Sequence, residues 1–190
     1  MLSGNQSLDP SSTPTFAGIK TSANIGTVGT GSTVAEYGDG YYHTSIITVS
    51  TTLPAIAGGA ALGVGKLAYT FPAGAIVVEE AKFSLAITQT QGNITSNTPY
   101  VGLGTVIASG AVSVLTGTAT FENIGVGQLA TNCSGTATVK TFDEQIDAII
   151  IETGASPRTV YINAAAIWTA GGDSAALLAG TITLTWKFMG

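Results

Sequence analysis

From Tyr41 onward the chain alternates apolar and polar residues with a period of two, and Gly, Asn, Pro or Ser interrupts the pattern about every ten residues. That rhythm predicts many short strands joined by turns, because successive side chains of a strand point to opposite faces. The segments that carry it are HTSIITVSTTL (43–53), KLAYTFP (66–72), AIVVEEAKFSLAITQT (75–90), YVGLGTVI (100–107), GTATFENI (117–124), GTATVKTF (135–142), RTVYINAAAIW (158–168) and GTITLTWKFMG (180–190). Residues 75–90 are long enough to hold a bulge or bend. The last segment alternates cleanly, with Ile182, Leu184, Trp186 and Phe188 on one face and Thr181, Thr183, Thr185 and Lys187 on the other.

Helical patterns are sparse. DEQIDAIII (143–151) opens with a carboxylate suited to cap a turn, but its Ile-rich end favours a strand. DSAALLA (173–179) fits one or two helical turns after Gly171-Gly172. Eight or more strands in about 150 residues predict an all-β fold, an antiparallel β-sandwich of jelly-roll-like arrangement, with an elongated trimeric β-structure as the alternative.

Residues 1–40 read differently. Pro10, Pro14 and a Gly-rich run at 26–40 separate single large apolar residues, too few to offset the entropy of ordering this segment alone. The expectation is an extended N-terminal arm over 1–40 that orders against a partner, followed by a β-sandwich domain over 41–190. Phe16, Ile19 and Ile25 are its candidate partner-binding anchors, since large apolar side chains dominate interface energetics.

Charge sharpens the picture. Only 9% of the 190 residues are Asp, Glu, Lys or Arg, against about 25% in ordinary soluble domains. A lone monomer with so little charge disperses poorly, so much of the surface is expected to lie against other copies or a lattice. The net charge is −5 and the six cations are scattered, which leaves no basic stripe for nucleic acid. No run of about 20 apolar residues suits a membrane helix. The start MLSGNQSLDP has neither a basic n-region nor an apolar h-region, so synthesis in a cytoplasm without an anchor is expected. The single Cys133 has no partner for an intrachain disulfide.

Candidate chemistry is thin. His43, the only histidine, has Ser45 and Asp39 nearby in sequence, but triads are assembled by fold geometry, and no G-x-S-x-G elbow exists. One His and one Cys do not build a usual zinc site, and the carboxylates Asp143, Glu144 and Asp147 lack EF-hand spacing. GAALGVGKL (59–67) fails as a phosphate loop at Ala60 and Leu67, and GTVGTG (26–31) has the wrong order for a dinucleotide fingerprint, so both read as flexible connectors. Glu79 and Glu80 are expected on alternate faces of one strand and unable to converge. No enzyme, cofactor or metal is expected.

Three stretches resemble bacteriophage virion proteins. NQSLDPSSTPTFAGIKTS (5–22), with Thr13-Pro14-Thr15-Phe16-Ala17-Gly18-Ile19 at its heart, resembles a phrase recurrent in phage tail-fibre and other virion proteins. VYINAAAIWTAGGDSAALLAGTITLTWKF (160–188) resembles the closing strands of small phage head and tail proteins, and VGLGTVIASGAVSVLTGTATFENI (101–124) is similar in flavour. The resemblance implies a capsid decoration, or cement, protein: a trimer of β-sandwich subunits on the outer surface of the virion, its arm lying over the major capsid protein and its subunits joined through one sandwich face. Because the T-P-T-F-A-G phrase is more typical of fibres, the alternative is a tail- or head-fibre module that recognises a host surface glycan through Tyr37, Tyr41 and Tyr42.

Overall fold

The structure, a computed structural model, describes residues 25–55, 62–89, 94–95, 99–117, 119–129, 138–144, 149–151, 158–165, 169–170 and 176–190. Its strands in chain order are β1 (Thr27–Val28), β2 (Ser32–Gly38), β3 (Tyr42–Thr52), β4 (Gly63–Thr70), β5 (Ile76–Gln89), β6 (Ile94–Thr95), β7 (Tyr100–Gly104), β8 (Gly125–Leu129), β9 (Thr138–Glu144), β10 (Ile149–Ile151), β11 (Thr159–Ala165), β12 (Thr169–Ala170) and β13 (Ala176–Phe188). Two short 3-10 turns, Leu115–Gly117 and Ala119–Phe121, precede β8.

The strands form two main antiparallel sheets. The first runs β10–β5–β13–β3–β2, and β9 pairs with β5 beyond the β10 register, on the edge away from β13. The second runs β1–β4–β11–β7–β8, and β6 and β12 pair separately. One core cluster draws on both sheets: Ile47, Phe83, Leu184 and Trp186 from the first, Tyr69, Leu103 and Ile162 from the second. The fold is therefore an all-β sandwich.

Strand β13 shows why these residues fold this way. Ile182, Leu184 and Trp186 are fully buried while Thr181 is exposed and Thr183 and Thr185 are half-buried, as their alternation predicts. The strand begins earlier than expected. Ala176–Ala179 extend it instead of forming a helical turn, because Ala176 and Leu178 reach the core and both flanking strands supply ladder partners, Leu177 pairing with Thr52 and Thr88.

Residues assigned to the arm also join the sandwich. β1 pairs with β4 and β2 with β3. Between them the chain crosses from one sheet to the other at a corner: the Gly29 N–H donates to the Ala68 carbonyl, 3.1 Å, and the Gly31 carbonyl accepts from the Ser50 N–H, 2.7 Å. Gly31 takes φ 83°, a left-handed conformation that favours glycine. GTVGTG is thus a fastened corner and not a flexible connector. Residues 1–24, including Phe16 and Ile19, lie outside the described residues; Ile25 is half exposed.

Two further expectations are corrected. Thr185 faces Glu80 and Trp186 faces Val78, which leaves Glu79 as the extra residue of a bulge in β5. Val78 and Ala81 are buried, so Glu79 and Glu80 share the outer face. They still do not converge: Glu79 pairs with Lys187, and Glu80 with Lys82 at 3.0 Å. The second correction concerns 117–124, where the described backbone curls into 3-10 turns over the second sheet and forms no strand.

Candidate functional site

Strand alternation aims His43 and Ser45 of β3 inward, and the register sets Glu36 of β2 opposite Ser45 and Trp186 of β13 opposite His43. Tyr69 of β4 reaches the group from the facing sheet. The Trp186 Nε1–H donates to Ser45 Oγ at 2.8 Å, and Ser45 Oγ–H donates to Glu36 Oε1 at 3.4 Å. The Tyr69 hydroxyl donates to the same carboxylate oxygen and accepts the Gly26 N–H at 3.0 Å. His43 lies flat on the Trp186 indole, with 4.0 Å between ring centroids and 10° between planes. Its ring nitrogens and Glu36 Oε2 have no hydrogen-bond partner.

Burial governs the electrostatics of this cluster. It pushes the Tyr69 hydroxyl well above the ordinary tyrosine range, and the bond to Glu36 adds to the effect. Burial likewise depresses the His43 imidazole, against the pull of Glu36, the Gly40 carbonyl and Asp39. Ser45 has Glu36, Tyr69 and Trp186 as partners and no hydrogen bond to His43. Asp39, the third member of the sequence-derived trio, sits apart in the exposed β2–β3 turn, where Oδ1 accepts the N–H groups of Tyr41 and Tyr42, both at 2.7 Å. The structure therefore does not bring Asp39, His43 and Ser45 together as a relay, and the cluster is sealed from solvent, Glu36 being the most exposed at 7%.

A second polar anchor lies on the outer side of the other sheet. Asn163 of β11 is fully buried beneath the segment after β7. Its Nδ2 donates to the carbonyls of Val106, 2.9 Å, and Phe121, 2.8 Å, and its Oδ1 accepts the Ala108 N–H at 2.8 Å. Gly65 and Gly102 flank Asn163 in the neighbouring strands, and a Cβ on Gly65 would run into its amide. Gly63 and Gly65, which the sequence placed in a flexible connector, are strand residues whose missing side chains admit this covering segment. Ala108, Leu115, Phe121 and Ala165 form a small separate core there, while Val106, Ile107 and Val114 stay exposed.

The outer face of the first sheet is a different kind of surface. From β2 to β5 its successive rows read Thr33, Thr48, Thr181, Ser84 and then Ala35, Ile46, Thr183, Lys82. Across β2, β3 and β13 this face carries one charged side chain, Lys187 at its end, which is paired with Glu79 and lies 5.0 Å over the Tyr42 ring. Tyr41 packs edge-on against Tyr42 at the same end, and both are exposed; Tyr37 is half-buried in β2. No group of three or more metal-ligating His, Cys, Asp or Glu side chains occurs among the described residues, and none of their helices is long and apolar enough to cross a membrane.

Sequence reasoning missed Glu36, Tyr69 and Asn163. Asn163 left a signal, an amide inside the otherwise apolar and small run VYINAAA. Glu36 and Tyr69 left none, since their meeting depends on two sheets facing each other.

No protein-family model matches the chain, and neither a curated protein nor a solved structure matches it.

Proposed function

We propose that this chain is a structural virion protein, a capsid decoration protein that coats the outer surface of a phage head as a homotrimer and binds the major capsid protein. The observation that carries this reading is the outer face of the first sheet, a four-strand surface of Thr, Ser, Ala and Ile with its few charges gathered at one side. Charged residues make up about 25% of ordinary soluble domains, and a face this poor in charge loses little hydration when a second copy covers it. The strand order adds support for the jelly-roll reading. The β9/β10–β5–β13–β3 layer faces β4–β11–β7–β8, the order produced by two successive Greek keys. The resemblance of residues 5–22, 101–124 and 160–188 to virion proteins points the same way.

The arm is tested by deletion, and the deletion must stop at residue 24, because Thr27–Val28 and Ser32–Gly38 are sandwich strands. The truncated protein is expected to fold, to remain a trimer by light scattering, and to lose co-sedimentation with capsid shells. Wild-type shell binding by the truncated protein overturns the arm's role, and a monomeric full-length chain overturns the trimer.

A second reading, a fibre module recognising a glycan, draws on the exposed Tyr41–Tyr42 pair beside Lys187, since aromatic planes with polar neighbours suit sugar rings. Copy number separates the two: quantitative gels of virions give high copy for decoration and few copies for a fibre.

A further inference from the structure

His43 is the single histidine of the chain and is 1% exposed. Neutral, its ring is accommodated as a flat partner for the Trp186 indole. Protonated, it would hold a charge away from water on a ring whose nitrogens make no well-formed hydrogen bond in the present arrangement, with the Gly40 carbonyl favouring the charge only in part. The ionisable groups around it compensate in part. Glu36 of β2 and Asp39 of the following turn are the anions that act on it. Tyr69 of β4 stands beyond Glu36, keeping its own proton and donating it to that carboxylate. From β13 the facing group is the uncharged Trp186, and Lys187 turns outward to Glu79. Burial outweighs the two carboxylates and the Gly40 carbonyl together.

The ring also sits at a mechanical join. Gly38 and His43 form the last pair of the β2–β3 ladder, and β2 ends the first sheet with no strand on its other side among the described residues. The second sheet holds this segment in two ways, by the short β1–β4 ladder and by the same cluster, where Glu36 and Gly26 meet at Tyr69.

We propose that His43 is an acid-triggered latch: when its imidazole takes up a proton the ring leaves the Trp186 stack, and the segment Thr27–Gly38 detaches from the sandwich while β5, β7, β11 and β13 stay paired. The sign follows from linkage. The closed form binds the proton more weakly than the open form, so closure is fully stable above the ordinary histidine range. It weakens as pH falls through about 6.5, with opening favoured up to roughly tenfold per pH unit until the closed form also titrates.

Two measurements test this on the full chain. Hydrogen exchange, expressed as protection factors at about pH 7.5 and pH 5, is expected to show β2 losing protection by roughly tenfold or more, with β7 and β11 unchanged. His43→Phe, which keeps a ring on Trp186 and cannot titrate, is expected to hold β2 protection constant. Because there is one histidine, its imidazole gives a single NMR titration, which reads the wild-type protein even if the variant misfolds. A midpoint below about 6.5, with β2 protection lost between about 6.5 and that midpoint, supports the latch. A midpoint at or above that value, β2 protection unchanged through the titration, or equal loss in β7 and β11 overturns it.

Discussion

Trp186 and Ser45 stand 141 residues apart in sequence, yet the indole N–H of one donates to the hydroxyl of the other at 2.8 Å inside the core. The bond joins adjacent strands β3 and β13, and Ser45 passes the polarity on to Glu36. Trp186→Ala is expected to destabilise the domain by about 3–5 kcal/mol, the usual cost of truncating a fully buried aromatic. Ser45→Ala, which strands the indole donor, should cost about 1–3 kcal/mol. Urea midpoints at constant m-value measure both.

Asn163 holds three backbone groups of the covering segment with one side chain. Asn163→Ala is expected to cost about 3 kcal/mol, because two carbonyls and an N–H lose their partner where water enters poorly. The loss should be local. Amide exchange should rise between residues 105 and 121 while the β5–β13 ladder keeps its protection.

Gly104 approaches the Phe121 backbone so closely that an added Cβ has no room. Gly104→Ala is expected to cost about 2–3 kcal/mol through displacement of the covering segment. Gly40, with open space around it, is the control, and Gly40→Ala should stay within about 0.5 kcal/mol in the same thermal or urea melts.

Asp39 supplies an acid response separate from that of His43. The N–H groups of Tyr42 and Tyr41 hold its carboxyl below its ordinary value of 3.8. A carboxylate depressed in this way contributes above the ordinary value, and the contribution is lost as pH falls through the folded-state value. Asp39→Ala should therefore speed amide exchange at Tyr41 and Tyr42 at neutral pH. In acid below the folded-state value, wild type and variant should converge. Persistence of the difference there would count against the carboxylate as the cause.

The charge-poor face can be tested without disturbing the core. Ile46→Lys, at an exposed position, and Thr183→Lys, at a half-buried one whose side chain leaves by the outer face, place ammonium groups at the centre of the outer rows and should change melting by no more than about 1 kcal/mol. If this face joins copies, both variants should shift light-scattering mass from oligomer to monomer. Unchanged mass would move the interface elsewhere.

The alternation of β3, β5 and β13 and the absence of long helices among the described residues were legible in the residues alone, because strand periodicity is a local property written every second position. So were the inward Ile182, Leu184 and Trp186. The start of β13 at Ala176 was not, because Ala and Leu suit a helical turn as well as a strand until Thr52 and Thr88 supply partners for Leu177 on both sides. Nor was the bulge at Glu79, since an extra residue is defined only against the strand that lacks it. The sequence by itself determined a charge-poor chain of alternating strands with one histidine two residues before a serine. Only the tertiary structure decided that Glu36, Tyr69 and Trp186 enclose those two side chains, because burial and hydrogen bonding across facing sheets depend on residues far apart in the chain, and no local pattern encodes them.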